Sequence, residues 1–360
     1  MFIGVLKESQ NENRVALTLG KKLNGYDFLL EKEAGIKAGY SDAAYSSYGV
    51  LLASREDVLS RSQIIFCVNC PDVKSISAMN TESILLGQLA PAKNPEAMKI
   101  ILDKGITAFS IEKLPRITRA QFMDVLSSQS SLAGYQAVML AAAQLGKTFP
   151  MMTTAAGNVA AARVLVIGAG VAGLQAIATA RRLGAVVSAF DVRSSSKGEV
   201  ESLGAMFVEI PNQETGDGAG GYAKEMSEAY KKAQEEKLLE VIGKQDVVIT
   251  TAQIPNKPAP KIITTKMVGM MPENAVVLDL AGESGGNCEL SKWGEEVVFN
   301  GRRIISPKNI INSIANTASN LFSANLIAFV KNLFKIEENK VHFDLNDELI
   351  KSSLIMRAIY

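Results

Sequence analysis

The sequence predicts an α/β protein of two doubly wound domains with a cleft between them, and three observations carry that reading. Short apolar runs alternate with stretches of helical spacing from the N-terminus onward, the rhythm of open, mostly parallel sheets. The rhythm starts afresh at Arg163, where a buried-strand run leads into a glycine-rich turn. The chain also has 360 residues, more than the ~250–300 at which a single core stops growing.

The elements follow in order. Residues 2–6 form a short apolar strand, a charged turn follows, and 15–19 reads as another short apolar run in the strand series. Strands are predicted at 26–30 and 63–68, and the alternation continues at 84–86 and 106–109. An Ala-rich stretch with helical spacing, 129–145, reads as a helix leaving the first domain, and a Met/Thr/Ala/Gly/Asn loop fills 148–162. In the second half, strands are predicted at 164–167, 186–190, 206–210, 246–250, 275–280 and 303–306. A helix opens at Gly168 and runs through Leu183, and a charged helix spans 223 to about 242. Residues 311–334 read as a helix or helix pair that returns to close the first domain. The predicted domains are therefore 1–126 with 316–360, and 127–315.

Composition removes several function classes. Lys and Arg (38) nearly cancel Asp and Glu (37), so the chain carries no electrostatic footprint for nucleic acid and no block of charge for an anionic membrane. No run of about 18 apolar residues occurs, which argues against direct bilayer insertion. Cys67, Cys70 and Cys288 are too few for a disulfide framework and suit a reducing, cytoplasmic compartment. The opening residues do not read as a secretion signal. The one histidine is His342, near the C-terminus. This scarcity counts against His-dependent acid–base chemistry, a Ser-His-Asp triad or a multi-His metal site.

The strongest motif is Gly168-Ala169-Gly170-Val171-Ala172-Gly173, set between an apolar strand and a helix. Gly168 permits the tight turn, Gly170 lets backbone approach a pyrophosphate at the helix N-terminus, and Gly173 allows close helix–strand packing. About 20 residues on, at the end of the next strand, Asp191 is placed to accept hydrogen bonds from the adenosine ribose. The motif with this context predicts a Rossmann-like dinucleotide site. Asp191 favours NAD(H) over NADP(H), because a 2′-phosphate would meet its negative charge. Arg193 complicates this, since an arginine there could accommodate a 2′-phosphate, lie along the adenine, or be solvated. Gln253 and Glu283 follow later strands, where loops line the cofactor crevice. The run Gly216-Asp217-Gly218-Ala219-Gly220-Gly221 reads as a mobile flap over a nucleotide or as a surface loop.

Arg116, Gln121, Asp124 and Ser127 lie at the junction of the two halves. They supply the mixed donors and acceptors that would orient a nicotinamide carboxamide. Asp124, Ser127 and Ser128 also read simply as a capped helix start. Cys67-Val68-Asn69-Cys70 lacks a second pair for zinc and reads as inert thiols. Lys7, Glu8, Glu12 and Arg14 form either a polar constellation or a solvated turn with an ion pair.

The stretch 151–193, the opening Ile3-Gly4-Val5-Leu6-Lys7-Glu8-Ser9, Arg14-Val15-Ala16-Leu17-Thr18, and Asp344-Leu345-Asn346-Asp347 together resemble the NAD(H)-binding component, domain I, of proton-translocating NAD(P) transhydrogenase. The resemblance covers essentially the whole chain and implies the split form of that enzyme. It further implies a homodimer docked to membrane-spanning and NADP(H)-binding components at the inner face of the cell membrane. The implied reaction is hydride exchange between NADH and a partner-held NADP⁺. By motif it assigns Arg116, Gln121, Asp124 and Ser127 to the nicotinamide and Asp191, Val192 and Arg193 to the adenosine ribose. Gly221 falls in its mobile loop, and Gln234 and Gln253 join the candidate cofactor contacts with Gly168, Ala169, Gly170, Val171 and Gly173. Alanine dehydrogenase is a near relative and the alternative. That family uses a Lys after an early strand and a His in the next, where this chain places Asn69 and Gln88. Oxidative deamination needs a proton acceptor, whereas hydride transfer between two nicotinamides needs positioning and a dry contact. A non-catalytic NAD-sensing module is a third reading, because fold alone does not establish activity.

Overall fold

The computed structural model describes residues 1–211, 214, 216–217, 226–254, 257–337 and 340–356. Gly221 lies outside the described residues, as does most of the predicted flap. The chain forms two compact units, Met1–Gln129 with Ile311–Tyr360, and Ser130–Ile310.

The first unit opens with β1 (Phe2–Val5), β2 (Asp27–Glu31), α1 (Asp42–Ser47), β3 (Leu51–Ala53) and α2 (Arg55–Arg61). It continues with β4 (Ile64–Asn69), α3 (Val73–Ala78), β5 (Ile84–Gln88), α4 (Pro95–Asp103) and β6 (Thr107–Ser110). α5 (Val125–Gln144) follows. The second unit has a hairpin, β7 (Met152–Thr154) and β8 (Gly157–Val159), then β9 (Arg163–Ile167), α6 (Val171–Arg182), β10 (Val186–Phe190) and α7 (Ser196–Ser202). Next come β11 (Met206–Phe207), α8 (Glu228–Ile242), β12 (Val247–Thr250) and α9 (Thr265–Met270). It closes with β13 (Val276–Asp279), β14 (Glu296–Phe299) and β15 (Arg302–Ile305). The return to the first unit comprises α10 (Ala315–Leu333), the hairpin β16 (Lys335–Glu337) and β17 (Lys340–His342), α11 (Glu348–Ser353) and β18 (Leu354–Met356).

The first sheet has the order β18-β6-β5-β4-β1-β2-β3, parallel except for β18 on β6. Its strands read as apolar runs because both faces are covered. Phe322, Leu326, Phe329 and Leu333, spaced along one side of α10, pack on one face. Val58, Leu59, Ile76, Met98 and Ile101 from α2–α4 pack on the other. The second sheet has the order β11-β10-β9-β12-β13-β15-β14, parallel except for the β14–β15 hairpin. α6 buries Ala176, Ile177 and Ala180 on one side, and α8 and α9 bury Leu238, Ile242, Met267 and Val268 on the other. Among the described residues no helix is long and apolar enough to cross a membrane.

The predicted α/β architecture of two parallel-dominated, Rossmann-like sheets is therefore the one observed, with local corrections. Residues 15–19 form no strand. The segment is mostly buried, bends at Ala16, and has two of its N–H groups taken by side chains of α10, Val15 N donating to Ser319 Oγ (2.9 Å) and Thr18 N to Ser323 Oγ (3.2 Å). The helix after the glycine turn starts at Val171 with Gly170 as its cap, not at Gly168. The third strand of the second sheet is only Met206–Phe207. α8 begins at Glu228, where the Ser227 hydroxyl accepts from Tyr230 N (3.2 Å).

Candidate functional site

The carboxyl ends of parallel strands, at the point where strand order reverses, are where α/β sheets bind ligands. In the second sheet that point lies between β9 and β12, with β10 beyond β9. Gly168 turns the chain out of β9 with φ +94°, and a Cβ there would sit 2.7 Å from Thr251 Oγ1. A Cβ on Gly173 would lie 1.8 Å from Gly168 O, so only glycine lets α6 pack so close to the turn. At Gly170, by contrast, an added Cβ meets nothing within 4 Å. The first turn of α6 thus has open space beside its backbone at the position that would approach a pyrophosphate. Ala169 is buried, while Val171 is exposed beside it.

Asp191 leaves the end of β10 and is 8% exposed. Its Oδ2 accepts from Ala169 N (2.7 Å), which ties the carboxylate to the glycine turn. Its Oδ1 accepts from Arg193 N (2.8 Å). The Arg193 guanidinium closes on both oxygens, Nε to Oδ1 at 2.9 Å and Nη2 to Oδ2 at 2.8 Å. Hydrogen bonding to Asp191 holds the Arg193 pKa above its ordinary value. Val192, between them, is partly buried, and its carbonyl accepts from Gly216 N (2.8 Å). On α8, Tyr230 is buried, and that burial, with the charge of Asp191, pushes its phenol up to about 12. Gln234, half-buried, lies one turn further along the same side of α8. Gln253 is exposed in the loop after β12, and Glu283 is exposed in the short helix after β13.

The first sheet ends differently. Glu12 (4% exposed) and Arg14 (8% exposed) form a buried pair, so the solvated-turn alternative does not hold for them. Arg14 Nε and Nη2 donate to Glu12 Oε1 (2.8 Å) and Oε2 (2.7 Å), and Nη1 donates to Gln129 Oε1 (3.0 Å). Burial pushes the Glu12 carboxyl up, but hydrogen bonds and charge from Arg14 outweigh it, and the group sits below the usual carboxylate range. Asn69, at the end of β4, donates to Glu12 Oε2 (3.0 Å). It is the register partner of Gln88 at the end of β5. Glu8, after β1, accepts from Val68 N (2.6 Å) and Asn69 N (3.3 Å). Its burial dominates those donors and raises its pKa to about 7. Lys7 pairs instead with the exposed Glu33 (2.7 Å). Burial raises the Cys67 thiol well above its ordinary value and Cys70 to about 11, which makes both poor nucleophiles.

Before α5, Arg116 lies in an exposed loop and Gln121 is exposed on the short helix Thr118–Met123. Asp124 caps α5, its Oδ1 accepting from Ser127 N (2.9 Å) and its Oδ2 from Ser127 Oγ (2.6 Å). Asn325 of α10 steadies this turn, accepting from Ser128 Oγ (2.8 Å) and donating to Phe122 O (2.8 Å). The structure thus joins Asp124 to Ser127 directly, and Asp191 to both Ala169 and Arg193. Among the described residues no cluster of His, Cys, Asp or Glu is arranged to hold a metal ion.

Sequence reading misses Tyr230, Asn287 and Asp279. The last two carry a weak signal, the paired Gly285 and Gly286 after a strand that ends in Asp279.

The Alanine dehydrogenase/PNT N-terminal domain profile matches residues 4–133, and the corresponding C-terminal domain profile matches residues 137–359. The first part of NAD(P) transhydrogenase subunit alpha of Rhodospirillum rubrum is 42% identical over 370 aligned positions, covering 99% of this chain and 96% of the relative. The crystal structure of transhydrogenase from Sinorhizobium meliloti matches with a TM-score of 0.90 at 40% identity, covering 99% of both chains. Alanine dehydrogenase of Methanococcus maripaludis is more distant, 29% identical over 80% of this chain and 74% of the relative. The chain belongs to the alanine dehydrogenase/PNT family, on the side of the NAD(P) transhydrogenase alpha subunits.

Proposed function

We propose that this chain is the NAD(H)-binding component of a proton-translocating NAD(P) transhydrogenase, active with a partner component that holds NADP(H). The observation that carries the nucleotide assignment is the bond from Ala169 N to Asp191 Oδ2, which joins the glycine turn to the ribose-reading carboxylate. The residues fit the group. The open side of Gly170 leaves room where a pyrophosphate would meet the α6 N-terminus, and Asp191 offers acceptors to ribose hydroxyls but repels a 2′-phosphate. Ala169, Val171, Gly173, Val192, Arg193, Gly221, Gln234 and Gln253 complete the proposed contacts. Bound NADH supplies a hydride, which passes directly to NADP⁺ on the partner.

The proposed role of Arg116, Gln121, Asp124 and Ser127 is to contact and orient the nicotinamide. Ser127 and Asp124 arrive already paired, which lowers the ordering cost of presenting them. The reading includes a homodimer docked to membrane-spanning and NADP(H)-binding components. The Rhodospirillum rubrum relative is named as the first portion of an alpha subunit, which supports a chain that works with further subunits. Alanine dehydrogenase chemistry is disfavoured by Asn69 and Gln88, two side chains without a proton to exchange near neutral pH, at the ends of adjacent strands.

Mixing the chain with an NADP(H)-binding transhydrogenase component and following hydride exchange between NADH and an NADP⁺ analogue tests the proposal. Exchange is expected. Silence with folded partners that bind their nucleotides would sink it, and robust alanine-dependent NAD⁺ reduction by the chain alone would promote the alternative.

A further inference from the structure

We propose that Asn287 is a positioning residue for the nucleotide, acting through the loop that carries Gln253. The inference rests on the reading of the second sheet's carboxyl end as a dinucleotide site.

Asn287 is fully buried, and every polar group it has is used. Its Oδ1 accepts from Ala252 N (3.0 Å), and its Nδ2 donates to Ala252 O (2.8 Å) and Pro260 O (2.9 Å). Its backbone oxygen accepts from Ile262 N (2.8 Å) and Ile263 N (2.9 Å). One side chain thus holds both peptide groups of the residue just before Gln253, and the same residue fastens the far end of that loop. Thr251, one residue earlier, donates its hydroxyl to Gly168 O (3.0 Å). The position of Gln253 is therefore set from Asn287 on one side and from the glycine turn on the other.

Asn287 is itself anchored. Its N–H donates to Asp279 Oδ2 (2.7 Å), and Asp279 is a fully buried carboxylate at the end of β13. That carboxylate also accepts from Ala281 N (2.9 Å), Cys288 N (3.0 Å) and Ser291 Oγ (2.6 Å). Gly285 (φ +104°) and Gly286 (φ +79°) bring the chain round to that point. A Cβ on Gly286 would stand 2.8 Å from Asp279 Oδ2, so the approach needs glycine. The arrangement runs Asp279, Asn287, Ala252, Gln253, and it ends at the β9/β12 reversal of strand order. A loop closed only for stability could use any buried contact. This one spends a buried amide on both peptide groups of Ala252, the residue that leads into one exposed polar side chain at the position where a ligand would bind.

The two sides of the reversal read different halves of a dinucleotide. Asp191 and the α6 N-terminus lie on the adenosine and pyrophosphate side, whereas Gln253 follows β12 on the other. The test titrates the full-length chain with NADH and, separately, with ADP, which lacks the nicotinamide ribose and ring. Asn287→Ala is expected to weaken NADH binding about tenfold, the equivalent of one hydrogen-bonded anchor, while ADP binding changes less than about twofold. Hydrogen exchange at the Ala252 and Gln253 amides should accelerate as well. Equal weakening of NADH and ADP would reduce Asn287 to a structural residue and overturn the proposal, as would unchanged binding of both. Asn287→Ser, which keeps a hydroxyl and leaves space for water, is read by the same criteria if the alanine variant does not fold. NADH binding by the unaltered chain is the control. Its failure removes the nucleotide-site reading itself, whereas a normal control with an unaffected variant removes only the role of Asn287.

Discussion

The two sheets carry nearly the same device at their carboxyl ends and put it to different ends. Each has an acid two residues before an arginine, Glu12 with Arg14 and Asp191 with Arg193. In each, one carboxylate oxygen accepts the arginine's own N–H and its Nε, and the other accepts Nη2. Each carboxylate takes four donors, and only the fourth differs; on Asp191 the two from the Arg193 side chain are the ones that ribose hydroxyls would replace in the proposed reading. For Glu12 it is the side chain of Asn69, and Arg14 spends another N–H on Gln129. For Asp191 it is the backbone N–H of Ala169, inside the glycine turn. The first pair is a plug made of side chains, closed on itself. The second is attached to bare backbone with open space beside Gly170. The same local chemistry therefore closes one sheet end with side chains and leaves the other joined to backbone with open space beside it.

The largest expected effect separates these roles by stability. Arg14→Ala strands a buried carboxylate and should cost about 3–5 kcal/mol in urea unfolding, while NADH affinity measured well below the melting point stays unchanged. Replacing Glu12 and Arg14 together with Leu and Met should recover much of that loss, because neither charge is then left alone. A loss under about 1 kcal/mol would show that the first pair is not the plug described, since that is the range of solvated ion pairs.

The second pair should answer in ligand affinity. Asp191→Ala removes acceptors for the ribose and is expected to weaken NADH by roughly 1–3 kcal/mol in calorimetry. It also releases the Arg193 guanidinium, a bidentate phosphate binder, so the preference for NADH over NADPH should shrink. Unchanged NADH binding would break the contrast between the sheets, and so would unaltered chain that binds NADPH equally well.

How much of each sheet end is legible in the sequence follows from how local each cause is. The glycine turn and Asp191 are readable because steric limits on Gly168 and Gly173 act within a few residues, and strand length fixes where the acid falls. The Asp124 cap is readable for the same reason. The buried apolar segment at 15–19 reads like a strand in sequence because its backbone partners, Ser319 and Ser323, come from a helix about 300 residues later. Asn287 is only weakly signalled, by the glycine pair before it, for a similar reason, since its amide serves a residue 35 positions away. Edge strands such as Leu51–Ala53 and Leu354–Met356 are three residues each, too short for a period of two to declare itself.

The smallest expected effect is a pH slope at the first sheet's end, where two carboxyls a few residues apart should pull in opposite directions. Glu12 sits below its ordinary pKa, so its contribution is present above the unfolded value and fades as pH falls. Glu8 is the reverse. Its pKa is raised from 4.5 to about 7, because burial outweighs the N–H groups of Val68 and Asn69. The folded state therefore resists ionising Glu8, and stability falls as pH climbs through that window, with the full penalty present above it. Glu8→Gln removes the ionisation and keeps one oxygen for those N–H groups. Compared with the unaltered chain, the variant should gain stability between pH 5 and pH 8. Glu8 is partly exposed, so the gain should be about 1 kcal/mol or less. Urea unfolding of both proteins at the two pH values measures it as a difference of differences, which cancels the slope from Glu12. A gap that is flat or narrows toward pH 8 would mean that Glu8 is ionised at little cost. The plug would then extend no further than Glu12, Arg14 and the two amides that hold them.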